Sequence, residues 1–218
     1  VPKTVTFLLQ APILLFAIVL HETAHAWAAL WKGDTTARDA GRLTLNPLPH
    51  LDPIGSILVP LLLFVSQGFA PRFLVGWAKP VPVDPHRLRR GRRDLLFVAL
   101  AGPASNLLLA GLSSVGLGML YRFGIAIGGG ALNLMLQYGI VMNCVLAVFN
   151  LIPIPPLDGA SVILHVLPPD AARRYASLQR YALPVLLLLM IAGGGRVLLA
   201  PASWMAGGMF ALSAAIAG

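Results

Sequence analysis

The 218-residue chain is 57% hydrophobic and only 11% charged, with a formal charge of +8 and a mean hydropathy of +0.80. Soluble domains carry roughly 25% charged residues, so a soluble enzyme or a solvated binding module is excluded and an integral membrane protein is indicated. No polar linker is long enough to hold a second folded unit and no internal repeat is present, so residues 1–218 read as one membrane-embedded domain.

The first apolar run, 6–31, exceeds the about 20 residues needed to span a bilayer. Lys3 ahead of it gives the look of a signal peptide, but cleavage near Ala24 or Ala26 would split a polar cluster from its helix, so the segment is read as retained. That cluster is His21, Glu22 and His25, and Glu22 is the sole glutamate of the chain. In "NPLPHLDPIG", 46–55, Asp52 before Pro53 is a helix N-cap and His50 a loop histidine near the interface. The next run, 54–69, is short and holds Pro60, and it either spans or dips in and returns. "GWAKPVPVDP", 76–85, is too proline-broken for a helix. It serves either as an edge strand near the site that pairs with substrate through Val81 or Val83, or as a rigid connector.

Arg87, Arg89, Arg90, Arg92 and Arg93 then crowd ahead of the second clear span, 94–120, with Arg72 and Lys79 upstream. They lack the interleaved readers of a nucleic-acid surface, so nucleic acid is excluded and anchoring against anionic membrane lipid on the cytoplasmic side is expected. A third span covers 131–151; it contains the single cysteine, Cys144, a core residue with no disulfide partner. A fourth covers 182–200 and a short fifth 203–217. With the loops around 70–93 and around Arg173, Arg174 and Arg180 both cytoplasmic, a re-entrant 54–69 brings the end of the first helix to the same face as "NLIPIPPLDG", 150–159.

Buried ionisable residues are costly in lipid, and their meeting needs a use. His21 and His25 are spaced i, i+4, which stacks both imidazoles on one helix face where they can grip one metal, with Glu22 beside its bound water. A catalytic zinc site commonly takes a carboxylate as third ligand, and Asp158 is the acidic residue directly at the end of another span. Asn150 either caps backbone groups freed by Pro153, Pro155 and Pro156 or contacts substrate or oxyanion. Asn106, with Gly102 and Pro103, reads first as close helix packing near the site, and second as a substrate contact.

His21-Glu22-Thr23-Ala24-His25, the later Asn150-Leu151-Ile152-Pro153 and Leu157-Asp158-Gly159, and "AGPASN" at 101–106 together resemble the site-2 protease family of intramembrane zinc metalloproteases. The resemblance covers roughly residues 7–167. It implies an all-α polytopic protein with a three-helix catalytic core, further C-terminal membrane helices at about 182–217, and a small membrane-associated β-hairpin or re-entrant element within 34–83. It further implies one zinc ion held by His21, His25 and Asp158, with Glu22 as general base. The substrate would be a transmembrane protein, and the location a bacterial cell membrane with the site toward the cytoplasm. The chain is expected to be a short form without a PDZ or CBS domain. The alternative is a divalent-cation or proton transporter using the same His, Glu and Asp as a relay, which no inverted repeat supports.

Overall fold

The structure, a computed structural model, describes residues 3–58, 61–62, 65, 78–125, 130–177, 180–181, 184–185, 188 and 199–218. The main elements are α1 (Lys3–Trp31), α2 (Thr36–Asp39), α3 (Arg92–Arg122), α4 (Ala131–Asn150), α5 (Asp158–Val166), α6 (Pro169–Ser177) and α7 (Ala200–Ala217). Among the described residues, four helices are long and apolar enough to cross a membrane: Leu8–Trp31, Arg92–Arg122, Ala131–Asn150 and Ala200–Ala217. Large apolar side chains such as Leu8, Trp27, Leu108, Leu112 and Trp204 stand exposed on these helices, as lipid-facing residues do. The expected spans 6–31, 94–120 and 131–151 are thus helices long and apolar enough to cross, and the short fifth expected over 203–217 is part of a longer one, Ala200–Ala217. Most of the span expected over 182–200 and half of 54–69 lie outside the described residues.

Helix α3 is the hub, packing against α1, α4, α5 and α7. Lipid tails give helices little hydrophobic reason to associate, so close approach of small residues supplies the packing. A side chain at Gly118 would fall 2.7 Å from the backbone of Ser213 in α7, and one at Gly139 in α4 would fall 2.6 Å from Ser113 Oγ in α3. Ala110, Leu117, Ile140, Cys144 and Ala206 form the core where α3, α4 and α7 meet, which confirms Cys144 as a buried core residue.

The β-hairpin is not found: among the described residues of 34–83 there is no strand. Residues 78–84 run without regular structure, because the prolines remove two donors and the amides of Lys79, Val81 and Asp84 are taken by distant groups rather than by a neighbouring strand. The Lys79 amide donates to the His50 carbonyl at 2.9 Å, Arg42 donates to the Pro80 carbonyl at 3.4 Å, and the Asp84 amide donates to Asp34 Oδ2 at 2.7 Å. Asp52 does cap, accepting from the amides of Ile54 and Gly55 at 3.0 and 2.7 Å ahead of a π-helical turn, Pro53–Leu58. His50 is a loop histidine, as expected, but it faces inward. It is 1% exposed and its Nε2 donates to the Thr44 carbonyl at 2.9 Å, which makes it an internal strut for the loop.

Helix α1 ends in a Schellman motif: Gly33, at φ 104°, and Asp34 donate back to Leu30 and Ala29 at 3.0 and 2.9 Å. The Asp34 side chain, fully buried, then accepts from the Thr36 amide, the Thr36 hydroxyl and the Asp84 amide. Burial works to raise its pKa, but these hydrogen bonds and nearby Arg87 outweigh it and hold the carboxyl below the usual range. Asp34→Ala is expected to lower stability by about 1–3 kcal/mol, since the Asp84 amide loses its partner. Because the folded pKa is depressed, the charged carboxylate's contribution is present above the ordinary value of about 4 and is lost as pH falls through the lowered one. The gap in unfolding midpoint between wild type and Asp34→Ala should therefore narrow from about pH 7 to about pH 3. A constant gap would mean that the charge contributes nothing.

Candidate metal centre

Three chain segments converge at one point. Helix α1 stacks His21 and His25 one turn apart on its buried face, at 6% and 8% exposure. Asp158 opens α5 after a tight turn whose backbone bonds include Ile154 amide to Ile152 carbonyl and Leu157 amide to Ile154 carbonyl. Gly159 permits that turn, for a Cβ there would stand 2.2 Å from the Leu151 carbonyl oxygen. From α3, Gly102 supplies the space the imidazoles occupy: a Cβ on it would lie 2.3 Å from His25 Nε2 and 2.5 Å from His21 Cε1. Gly102 is thus the wall of the site as well as a packing residue.

The hydrogen bonds fix where the histidine protons are. His25 Nδ1 lies 2.7 Å from the Val98 carbonyl, which only accepts, so Nδ1 carries the proton. His21 Nδ1 lies 2.6 Å from Asn106 Oδ1 and donates likewise. With both imidazoles neutral, as metal ligation requires, the two Nε2 atoms point lone pairs inward. They stand 3.0 Å apart, and Asp158 brings its carboxylate to within 3.1 Å of His21 Nε2 and 3.3 Å of His25 Nε2. In that state three acceptors face one another, and Asp158 Oδ2 is buried without a hydrogen-bond donor.

Such a cluster repels itself unless a cation joins it. The donor set, two neutral imidazoles and a carboxylate, suits zinc, and zinc–ligand bonds of about 2.1 Å give tetrahedral edges of about 3.4 Å, close to the separations seen. Among the described residues, His21, His25 and Asp158 are the group of histidine, cysteine or acidic side chains able to hold a metal.

Glu22 stays out of that triad. Its Oε2 accepts the Val81 amide at 2.9 Å, so Val81 reaches the site but spends its N–H on the glutamate. The idea that this amide stands free for substrate is corrected. Asn150 turns its side-chain amide back to the Leu146 carbonyl of its own helix at 2.9 Å, not to a backbone group freed by Pro153, Pro155 or Pro156. Asn106 is fully buried and bonded to His21. Its Nδ2 donates to Asn143 Oδ1 at 3.0 Å and approaches the Ala17 carbonyl at 3.5 Å. Asn143 went unremarked in the sequence, although a carboxamide inside an apolar span is itself a signal.

The profile of Peptidase family M50 matches residues 119–193, a stretch that holds Asn150 and Asp158. YwhC of Bacillus subtilis (strain 168), a zinc metalloprotease by name, is 37% identical over 191 residues, covering 86% of this chain and 82% of that protein. Rip2 of Mycolicibacterium smegmatis, named in the same way, is 31% identical over 187 residues, covering 81% of this chain and 64% of its own length. Rip2 of Mycobacterium tuberculosis (strain H37Rv) is 34% identical over 182 residues, again covering 64% of its length. The chain therefore spans less than two thirds of the Rip2 proteins. No solved structure matches it. With likeness above 30% over most of both chains for YwhC, the protein belongs to peptidase family M50, the site-2 protease family.

Proposed function

We propose that this member of the family is an intramembrane zinc metalloprotease that holds one zinc ion through His21 Nε2, His25 Nε2 and the Asp158 carboxylate, with Glu22 as its general base. The observation that carries the reading is the meeting of two buried imidazoles with the half-buried Asp158 carboxylate, both Nδ1 atoms being turned to partners outside the cluster. Zinc bound there supplies a Lewis acid that acidifies water and polarises a peptide carbonyl. Glu22 does the proton work: with Oε2 held by the Val81 amide, the other oxygen takes a proton from the attacking water and returns it to the leaving amine. Residues of about 7–167 form the catalytic core in this reading.

A peptide bond in a membrane helix is shielded by the helix's own hydrogen bonds. The substrates are therefore transmembrane proteins whose scissile stretch unwinds readily, with helix-weakening residues nearby. The stretch 79–84 lies beside Glu22, and the unwound substrate is held against it. Val81→Pro is expected to slow cleavage of a membrane substrate about ten-fold or more without loss of zinc, since general-base work is worth about 10²–10⁴ and depends on position. Val81→Ala, which keeps the amide, should stay near wild type. Equal rates for the proline variant would leave 79–84 a connector.

The site is assigned to the cytoplasmic side. The Arg89 amide binds the Lys32 carbonyl at the end of α1, and Tyr175, beside Arg173 and Arg174, donates to the Pro153 carbonyl, so the basic segments share the site's end of the helices. Labelling of a Ser177→Cys, Cys144→Ser variant from outside intact cells would reverse this orientation.

The reading is tested by metal removal. A membrane-permeant chelator should abolish cleavage of a model transmembrane substrate, and zinc should restore it; cleavage that persists in metal-free protein would defeat the proposal. The transporter alternative is not favoured by the family, and it would show instead as zinc or proton flux into liposomes.

A further inference from the structure

We infer that Asn143 is a positioning residue for the metal site, acting from a third helix to fix the proton on His21. The inference rests on the zinc reading above. Asn143 is 3% exposed, and its Nδ2 donates to the Gly139 carbonyl one turn earlier in α4 at 2.9 Å. That bond settles which end of the carboxamide faces α3: Oδ1, which accepts from Asn106 Nδ2 at 3.0 Å. Asn106 is oriented in turn, with Oδ1 toward His21 Nδ1 at 2.6 Å. A neutral imidazole that donates through Nδ1 keeps its lone pair on Nε2, the atom that faces His25 and Asp158.

Without Asn143, little distinguishes the two ends of Asn106. The long approach to the Ala17 carbonyl at 3.5 Å is the remaining guide. A reversed carboxamide would offer its NH₂ group to Nδ1 and favour the tautomer with the proton on Nε2, which cannot ligate. The site is buried among apolar helices, where water is not at hand to replace the lost partner. The relay therefore runs from α4 through α3 to α1, and it makes zinc affinity depend on the seating of three helices.

The test uses the full chain in detergent micelles, with zinc titrated against a competing chelator, and ¹⁵N-histidine spectra of the metal-free protein to read the His21 tautomer. Wild type should show the proton on Nδ1. Asn143→Leu should lower zinc affinity at least about ten-fold, as loss of an outer partner does, and should mix the two tautomers. Asn143→Asp as a neutral acid can still donate to Gly139 and accept from Asn106, so it should stay within about three-fold of wild type. Asn106→Ala combined with Asn143→Leu should bind zinc no worse than Asn106→Ala alone, because one acts through the other.

Asn143→Leu with wild-type zinc affinity, or a double variant whose losses multiply, overturns the inference. If Asn143→Leu does not fold, wild type still decides: a proton found on His21 Nε2 in the metal-free chain overturns the relay. A wild-type chain that takes up no zinc defeats the metal reading instead, while its tautomer judges the relay separately.

Discussion

Glu22→Gln is expected to retain one zinc per chain and to lose at least about 100-fold in hydrolysis of a transmembrane substrate, the lower end of what a general base contributes. Glutamine matches glutamate in shape, and its carbonyl oxygen can still accept the Val81 amide that now reaches Oε2 at 2.9 Å. The variant therefore removes basicity with little change in position. Glu22 does not belong to the triad of His21, His25 and Asp158, so metal content should not follow activity. Zinc analysis and a single-turnover cleavage assay on the same preparation check both halves. Near-wild-type turnover would take the proton-transfer role from Glu22 and restore interest in a transporter.

Gly102→Ala should have an effect opposite to its helix propensity. In an ordinary helix interior the change favours the fold by about 1 kcal/mol. Here the new methyl carbon would arrive 2.3 Å from His25 Nε2 and 2.6 Å from His21 Nε2, and the imidazoles, being mobile side-chain ends, would move rather than the helices. The expected outcome is a folded protein with close to wild-type unfolding temperature, little bound zinc and no measurable cleavage. Gly111→Ala on the same helix is the control, since nothing lies within 4 Å of a Cβ there; it should keep full activity. Zinc retained by Gly102→Ala would mean the ligands do not sit where the structure has them.

The sequence showed the parts of the fold whose cause is local. Hydropathy gave α1, α3 and α4, and the cost of ionisable groups in lipid drew attention to His21, Glu22, His25 and Asp158, of which the structure brings His21, His25 and Asp158 together. Proline chemistry gave the Asp52 cap. What stayed hidden depends on partners far away in the chain. The alternation Pro80-Val81-Pro82-Val83 suits a strand edge, but Glu22, His50, Arg42 and Asp34 claim the backbone groups around it, and no residue-by-residue pattern encodes that. Gly102 looked like a packing glycine because its neighbours on α1, His21 and His25, lie far earlier in the chain. His50 and Asn143 have local surroundings that do not reveal their burial or their bonds.

Zinc K-edge X-ray absorption on the purified full chain tests the central claim most directly. The expected result is one zinc per chain in a shell of nitrogen and oxygen at about 2.0–2.2 Å, with imidazole scattering from two histidines, and loss of that signal in Asp158→Ala. A shell containing sulfur at about 2.3 Å, or unchanged zinc in Asp158→Ala, would contradict the account.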